Sequence, residues 1–507
     1  MIRITKFLML TLALWLHGGA VLRAQSDDDQ LVADVRMFTV LTAINVAGYD
    51  DGFGSPSDHP LRRVVREDLK DFQGSSLYRL KNIYEQFKLS DPAENLAQYV
   101  AFALLCGEPP TFELQARLPT DLPPEVRRIR ALSPILSEFY REAEIEKLWS
   151  RYQGAYDNEI ARYQEPLIQM LLETGSYLRF SPTSREMQSF KIDFSLLGAP
   201  NQVTSRSYGG VVRVVVQASK KLRMDEIRQS FLMHLLDRLS IRNAEEVAKK
   251  EMLARFALFA PALSEVYKEN FQLLLSKSLA NAVEVRLADV PDAEKQARVD
   301  QYLKEGYILT PYFFEKLPAY EAQPEPFPSY YKEMIRELDV KHEAERLRSI
   351  EFVPAASKGP SSQPIVPKVS KLDTLLNQAE GLFRLEQLED ARLKFAEALS
   401  EAGGKNGQAE YGLGRVAAFD GEPDLAREHF LRAVESADDT YIRAMSHIYI
   451  ARIEDIVGNR EQALEHYQSA LDVGDPSSRV KELAEGGLKE PFGVGEDQEG
   501  ESPDDCR

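Results

Sequence analysis

The chain has 507 residues, 44% hydrophobic and 28% charged, a composition of folded rather than disordered protein and enough length for more than one domain. A formal net charge of −18 disfavours nucleic acid and anionic surfaces as partners. With only Cys106 and Cys506, the chain is not built on a disulfide framework.

Residues 1–24 carry the marks of an export signal. Arg3 and Lys6 give a positive start, Phe7–Leu16 is apolar, and Gly18, Gly19 and Ala20 precede a cut after Ala24. The apolar run is too short for a stable membrane helix, and no later stretch is long enough. The chain is therefore expected to be exported, to the periplasm or beyond the cell, with no membrane span after signal removal.

Residues 25–350 are expected to form a mainly helical domain with a small inserted sheet, an α+β arrangement. Leu31, Val35, Phe38, Leu41 and Ile44 form one apolar stripe and predict a helix over 31–47, ended by Gly48. Gly52, Gly54, Pro56 and Pro60 mark a loop. Helices are predicted over 67–87, 92–105, 126–153 and 155–177. Near residue 189 the period changes to two: Phe190, Ile192 and Phe194 predict a strand, and Val211–Val216 predicts another after the turn at Gly198–Asn201. A helix over 224–239 follows, then a helical region over 244–287 broken at Pro261. The Tyr-, Phe- and Pro-rich stretch 307–331 is expected to pack over the core.

Pro354, Pro360, Pro364 and Pro367, with nearby serines, predict a linker over 351–371. Beyond it a pattern repeats. Ala391, Phe395 and Ala398 recur as Ala426, Phe430 and Ala433, then as Ala463, Tyr467 and Ala470, at intervals of 35 and 37 residues. Such periods mark stacked units, none of which buries its apolar face alone. A last helix over 478–488 is expected to cap the stack, and residues 490–507 form an acidic tail.

Residues 372–489 resemble the tetratricopeptide repeat (TPR). The middle unit keeps that family's Leu-Gly pair as Leu413 and Gly414, and Gly421 and Gly458 match the glycine that ends a first helix. The first unit departs from the pattern with Glu386. The resemblance implies a three-repeat α-solenoid with a concave groove that holds a peptide or helix of a partner protein. The groove residues it implies are Gln408, Tyr411, Arg415, Tyr441, Arg443, His447 and Arg452. A spacer or self-association stalk is the structural alternative.

A strand followed by a helix at 211–239 invites a test for zinc peptidase chemistry, which needs two histidines at i and i+4 beside a glutamate. The layout is similar to that of gluzincin peptidases, but the ligands are absent. Gln229, Ser230 and Met233 stand in the ligand register, His234 is one residue out of it, and Lys277 occupies the position of the later carboxylate ligand. The resemblance implies a degenerate scaffold that holds no metal. His234 and Asp237, three residues apart, are read as packing contacts rather than a catalytic pair. Gly52, Gly54 and Ser55 lack the lysine of a phosphate loop. No catalytic residue and no cofactor is predicted. The expected function is that of an exported, non-catalytic protein-binding chain. A peptidase-like hydrolase with an unrecognised site and a self-assembling structural protein are the alternatives.

Overall fold

The computed structural model describes residues 30–114, 122–208, 210–354, 370–384, 387–475 and 477–493. The predicted export signal, most of the predicted linker, Glu386 and most of the predicted tail, Cys506 included, lie outside the described residues. The fold is mainly helical, with one four-stranded sheet.

Helix α1 (Val35–Ala47) is capped by Asp34, whose carboxylate accepts from the Arg36 N–H, and it ends at Gly48 with φ 118°. It starts later than the apolar stripe suggests. Leu31–Val32 instead forms strand β1, parallel to β2 (Phe190–Ser195). Beyond it, the Gly52–Gly54 loop is held by Arg62. This fully buried guanidinium donates to Asn45 Oδ1 and to the carbonyls of Tyr49 and Asp51.

The helix predicted over 67–87 is two, Pro60–Asp68 and Ser75–Phe87, and α2 (Pro92–Leu105) lies where it was expected. Residues 126–177 divide differently from the prediction, into short helices Pro124–Arg128 and Leu132–Glu142 and one continuous 33-residue helix, α3 (Ile145–Tyr177). Helix α3 runs straight through Gly154. A helical glycine costs only about 1 kcal/mol, and α3 is held by burial of Leu148, Tyr156, Tyr163 and Leu167. Trp149 and Tyr156 lie 5.1 Å apart centroid to centroid, and Tyr163 meets Phe194 at 4.9 Å.

The sheet has the order β1-β2-β4-β3. Strand β4 (Val211–Gln217) pairs parallel with β2 and antiparallel with β3 (Val203–Tyr208). Val214, Val215 and Val216 are all buried, as in a strand covered on both faces. Helix α4 (Met224–Arg242) packs on α5 (Phe271–Leu287), where Ser240 Oγ and Ser276 Oγ lie 2.7 Å apart. Between them the chain breaks at Pro261, as expected, but the helical region is a set of short helices, Ala244–Ala248, Glu251–Leu253, Ala254–Ala257 and Glu265–Glu269, rather than a long one. Tyr307, Tyr312, Phe313, Tyr320, Phe327 and Tyr331 are all buried, so the aromatic stretch does pack over the core.

Beyond residue 370 the described residues form seven helices: α6 (Lys371–Arg384), α7 (Leu388–Glu401), α8 (Gly407–Phe419), α9 (Pro423–Ser436), α10 (Thr440–Ile456), α11 (Arg460–Asp472) and α12 (Ser478–Lys489). Each packs on its neighbour in sequence. The repeated alanines and aromatics lie on α7, α9 and α11, and all are buried. Their aromatics pack forward. The Phe395 ring lies where a Cβ on Gly412 would fall 2.3 Å away, Phe430 stacks on Tyr449 at 4.9 Å and 8°, and the Tyr467 ring fills the space beside Gly487.

The two parts have separate cores. Among the described residues one apolar cluster runs from Ala33 to Leu347, two others lie wholly within the helical array, and none is shared across.

Candidate functional site

The first helices of the second and third array pairs, α8 and α10, carry the residues implied to face a partner. The structure brings Tyr411, Arg415 and Tyr441 together as buried groups. The Arg415 guanidinium sits 4.7 Å from the Tyr411 ring and 4.5 Å from the Phe383 ring, and pairs with Glu380 of α6 at 2.5 Å. Tyr449 lies 6.1 Å from Tyr411. Burial raises the phenol pKa of Tyr411 well above its ordinary value and also raises that of Tyr441. These three side chains bind the array together, and only their unsatisfied atoms remain for a partner.

The other four have partners inside the chain, with one exception. Gln408 Oε1 accepts from Arg127 of the first domain. His447 Nδ1 lies 3.0 Å from His466 Nδ1 on α11. The Arg452 guanidinium sits 4.4 Å from the ring of Phe492, beyond α12. Arg443 is half-buried, with its Nε enclosed and unpaired among the described residues. Burial, with His466 and Arg443 nearby, pushes the His447 pKa down to about 4.

Two enclosed donors join Arg443 Nε. Gln408 Nε2 and Arg415 Nε are also buried and without an acceptor among the described residues. Gln408, Tyr411 and Arg415 recur at i, i+3 and i+7 on α8 and therefore share one face of it.

The edge of the array meets the first domain through Arg127 and Arg130. Arg130 Nη1 pairs with Asp439 at 2.7 Å and Nη2 with Asp475 at 2.5 Å; Thr440 Oγ1 accepts from the same guanidinium and donates to Asp475. Asp439 also caps α10, accepting from the N–H groups of Tyr441 and Ile442. Val126 and Ile129, both fully buried, anchor this segment in the first domain's core. Sequence reasoning missed both arginines. The available signal was their spacing of three, interleaved with Val126 and Ile129.

In the first domain, Gln229 and Lys277 do come together. Lys277 Nζ donates to Gln229 Oε1 at 2.6 Å, the Gln229 amide donates to Glu284, and Tyr302 donates to the same carboxylate at 3.1 Å. Burial pushes the Lys277 pKa down to about 8, against the opposing pull of Glu284 and Glu305. Burial also raises that of Glu284. The glutamine thus links a buried ammonium to a buried carboxylate. Met233, one turn along α4, packs against the apolar core and not into this group.

His234 points elsewhere. Its Nε2 lies 2.8 Å from the Glu186 carbonyl and 3.2 Å from Ser189 Oγ, and burial lowers its pKa to about 4. Asp237 accepts from Ser276 Oγ at 3.0 Å. The two side chains therefore serve different neighbours. Among the described residues no group of three or more His, Cys, Asp and Glu side chains is placed to hold a metal ion, and no helix is long and apolar enough to cross a membrane.

No family model matches the chain, and neither a curated protein nor a solved structure is significantly similar to it.

Proposed function

We propose that this is an exported, non-catalytic binding protein. Residues 372–489 form a three-repeat, TPR-like solenoid that holds a peptide or helix of a partner protein. One observation carries the reading. Gln408 Nε2, Arg415 Nε and Arg443 Nε, on two successive first helices, are enclosed donors with no acceptor among the described residues. Each such donor costs about 1–3 kcal/mol while unsatisfied, and carbonyl or carboxylate oxygens of a bound chain would satisfy them. The aromatic bodies of Tyr411, Tyr441 and Tyr449 supply the apolar contact that recognition of this kind uses. The Gln229–Lys277–Glu284–Tyr302 group supports the non-catalytic reading, because its polar atoms are tied to one another.

The test is a selection of displayed random peptides on the purified chain lacking residues 1–24. Enriched peptides are expected to bind the unaltered chain and to lose about tenfold in affinity, or about 1.4 kcal/mol, on Arg443→Ala or Gln408→Ala. Failure to enrich any peptide, or ligands indifferent to both substitutions, contradicts the proposal. Sedimentation of the same sample addresses the alternative, since a self-assembling protein would grow with concentration.

A further inference from the structure

The seam between the two parts of the chain is polar. Among the described residues no apolar cluster crosses it, and no helix of the array packs extensively against an element of the first domain. Two arginines cross it. Arg127 and Arg130 project from a segment whose other side, Leu122, Val126 and Ile129, is buried in the first domain. Arg127 reaches Gln408 near the start of α8. Arg130 reaches Asp439 at the start of α10 and Asp475 ahead of α12, so one guanidinium joins the ends of two array helices.

Both aspartates have an oxygen to spare for this. Asp439 Oδ1 caps α10 and Asp475 Oδ1 accepts from the Ser477 N–H, while the Oδ2 atoms face Arg130. The Asp475 side chain is fully enclosed and that of Arg130 is 12% exposed. A planar guanidinium shared between two carboxylates and a hydroxyl is the geometry in which arginine is selected over lysine. The array edge is therefore a formed site for arginine, occupied by the chain itself.

We propose that residues 124–130 are an internal ligand of the array, and that this edge accepts a partner segment carrying two arginines one helical turn apart, which displaces them. The inference rests on the reading of the array as a protein-binding module and names the chemistry of the partner at its edge. It makes access to Gln408, and to the donors beside it, depend on whether the seam is closed. Among the described residues the seam has charge but no shared apolar core, so its closure depends on these ion pairs, which their burial shields from screening by salt.

The experiment uses the chain lacking residues 1–24, its Arg127→Ala/Arg130→Ala variant, and a fluorescein-labelled peptide of residues 122–133. The peptide is expected to bind the variant about tenfold more tightly than the unaltered chain in anisotropy titrations at low salt. Adding Asp439→Asn and Asp475→Asn to the variant should abolish that gain; asparagine keeps the helix cap, so folding is retained. X-ray scattering should show a larger radius of gyration for the arginine variant than for the unaltered chain in the same buffer. Equal binding to variant and unaltered chain, no binding to either, or binding indifferent to the aspartates overturns the proposal. The selected peptides separate the two readings. If they still bind the variant while the 122–133 peptide does not, only the internal ligand is lost; if neither binds, the binding module itself is wrong.

Discussion

Burial sets the His447 imidazole at about 4, against an ordinary 6.5, and lowers that of His466 beside it. The sign of the consequence follows from linkage. On acidification the unfolded histidines bind protons first, so the stability that the neutral pair contributes is full above 6.5 and is lost as pH falls towards 4. The preceding unit has a hydrogen-bonded contact at the corresponding place, His429 Nδ1 to Glu410 at 2.6 Å. Urea unfolding near neutrality and at about pH 5 is expected to show a fall in the array's stability, reduced in His447→Gln. An unchanged pH dependence in that variant would place the sensitivity elsewhere. In the first domain, Gln229→Leu removes the amide that links Lys277 to Glu284 and leaves both buried groups short of a hydrogen bond. It is expected to cost about 1–3 kcal/mol in urea unfolding, and a neutral result would show the group to be wetter or looser than its burial implies.

Between the array helices, glycines record how closely neighbours approach. A Cβ on Gly412 would lie 2.3 Å from the Phe395 ring, whereas one on Gly381, also within a helix, would meet nothing within 4 Å. Gly412→Ala is therefore expected to destabilise by about 1–3 kcal/mol through overpacking. Gly381→Ala is expected to stabilise by about 0.5–1 kcal/mol by restricting the unfolded chain. Thermal melts of the two variants should move in opposite directions; movement the same way would refute this account of the stacking. These repeated contacts were legible in the sequence because alanines and aromatics recur at fixed places on α7, α9 and α11. Strand β3 was not legible. Its Thr-Ser-Arg-Ser interior reads as turn chemistry and becomes a strand only because β4 offers it an edge. The two-residue β1 likewise exists only through pairing with β2. Helix α3 hides its continuity behind Gly154, because the burial that holds it comes from distant parts of the chain. The contact between Gln229 and Lys277 could be expected from the layout of two helices; the capture of Gln408 by Arg127 could not, since the two lie 281 residues apart.

At the scale of the whole molecule, the chain is two separately cored bodies joined by a charged seam. The first body places a tied polar group between α4 and α5, and the second places enclosed, unmet donors on α8 and α10. A binding function assigned to the second body makes a spatial prediction that fold and charge alone do not. Hydrogen-exchange mass spectrometry of the chain, with and without a peptide enriched by display, tests it most directly. Protection is predicted over residues 407–419 and 440–456, with residues 224–242 and 271–287 unchanged. Protection confined to 224–242 and 271–287, or none at saturating peptide, would contradict it and move the binding site to the Lys277 group or away from both.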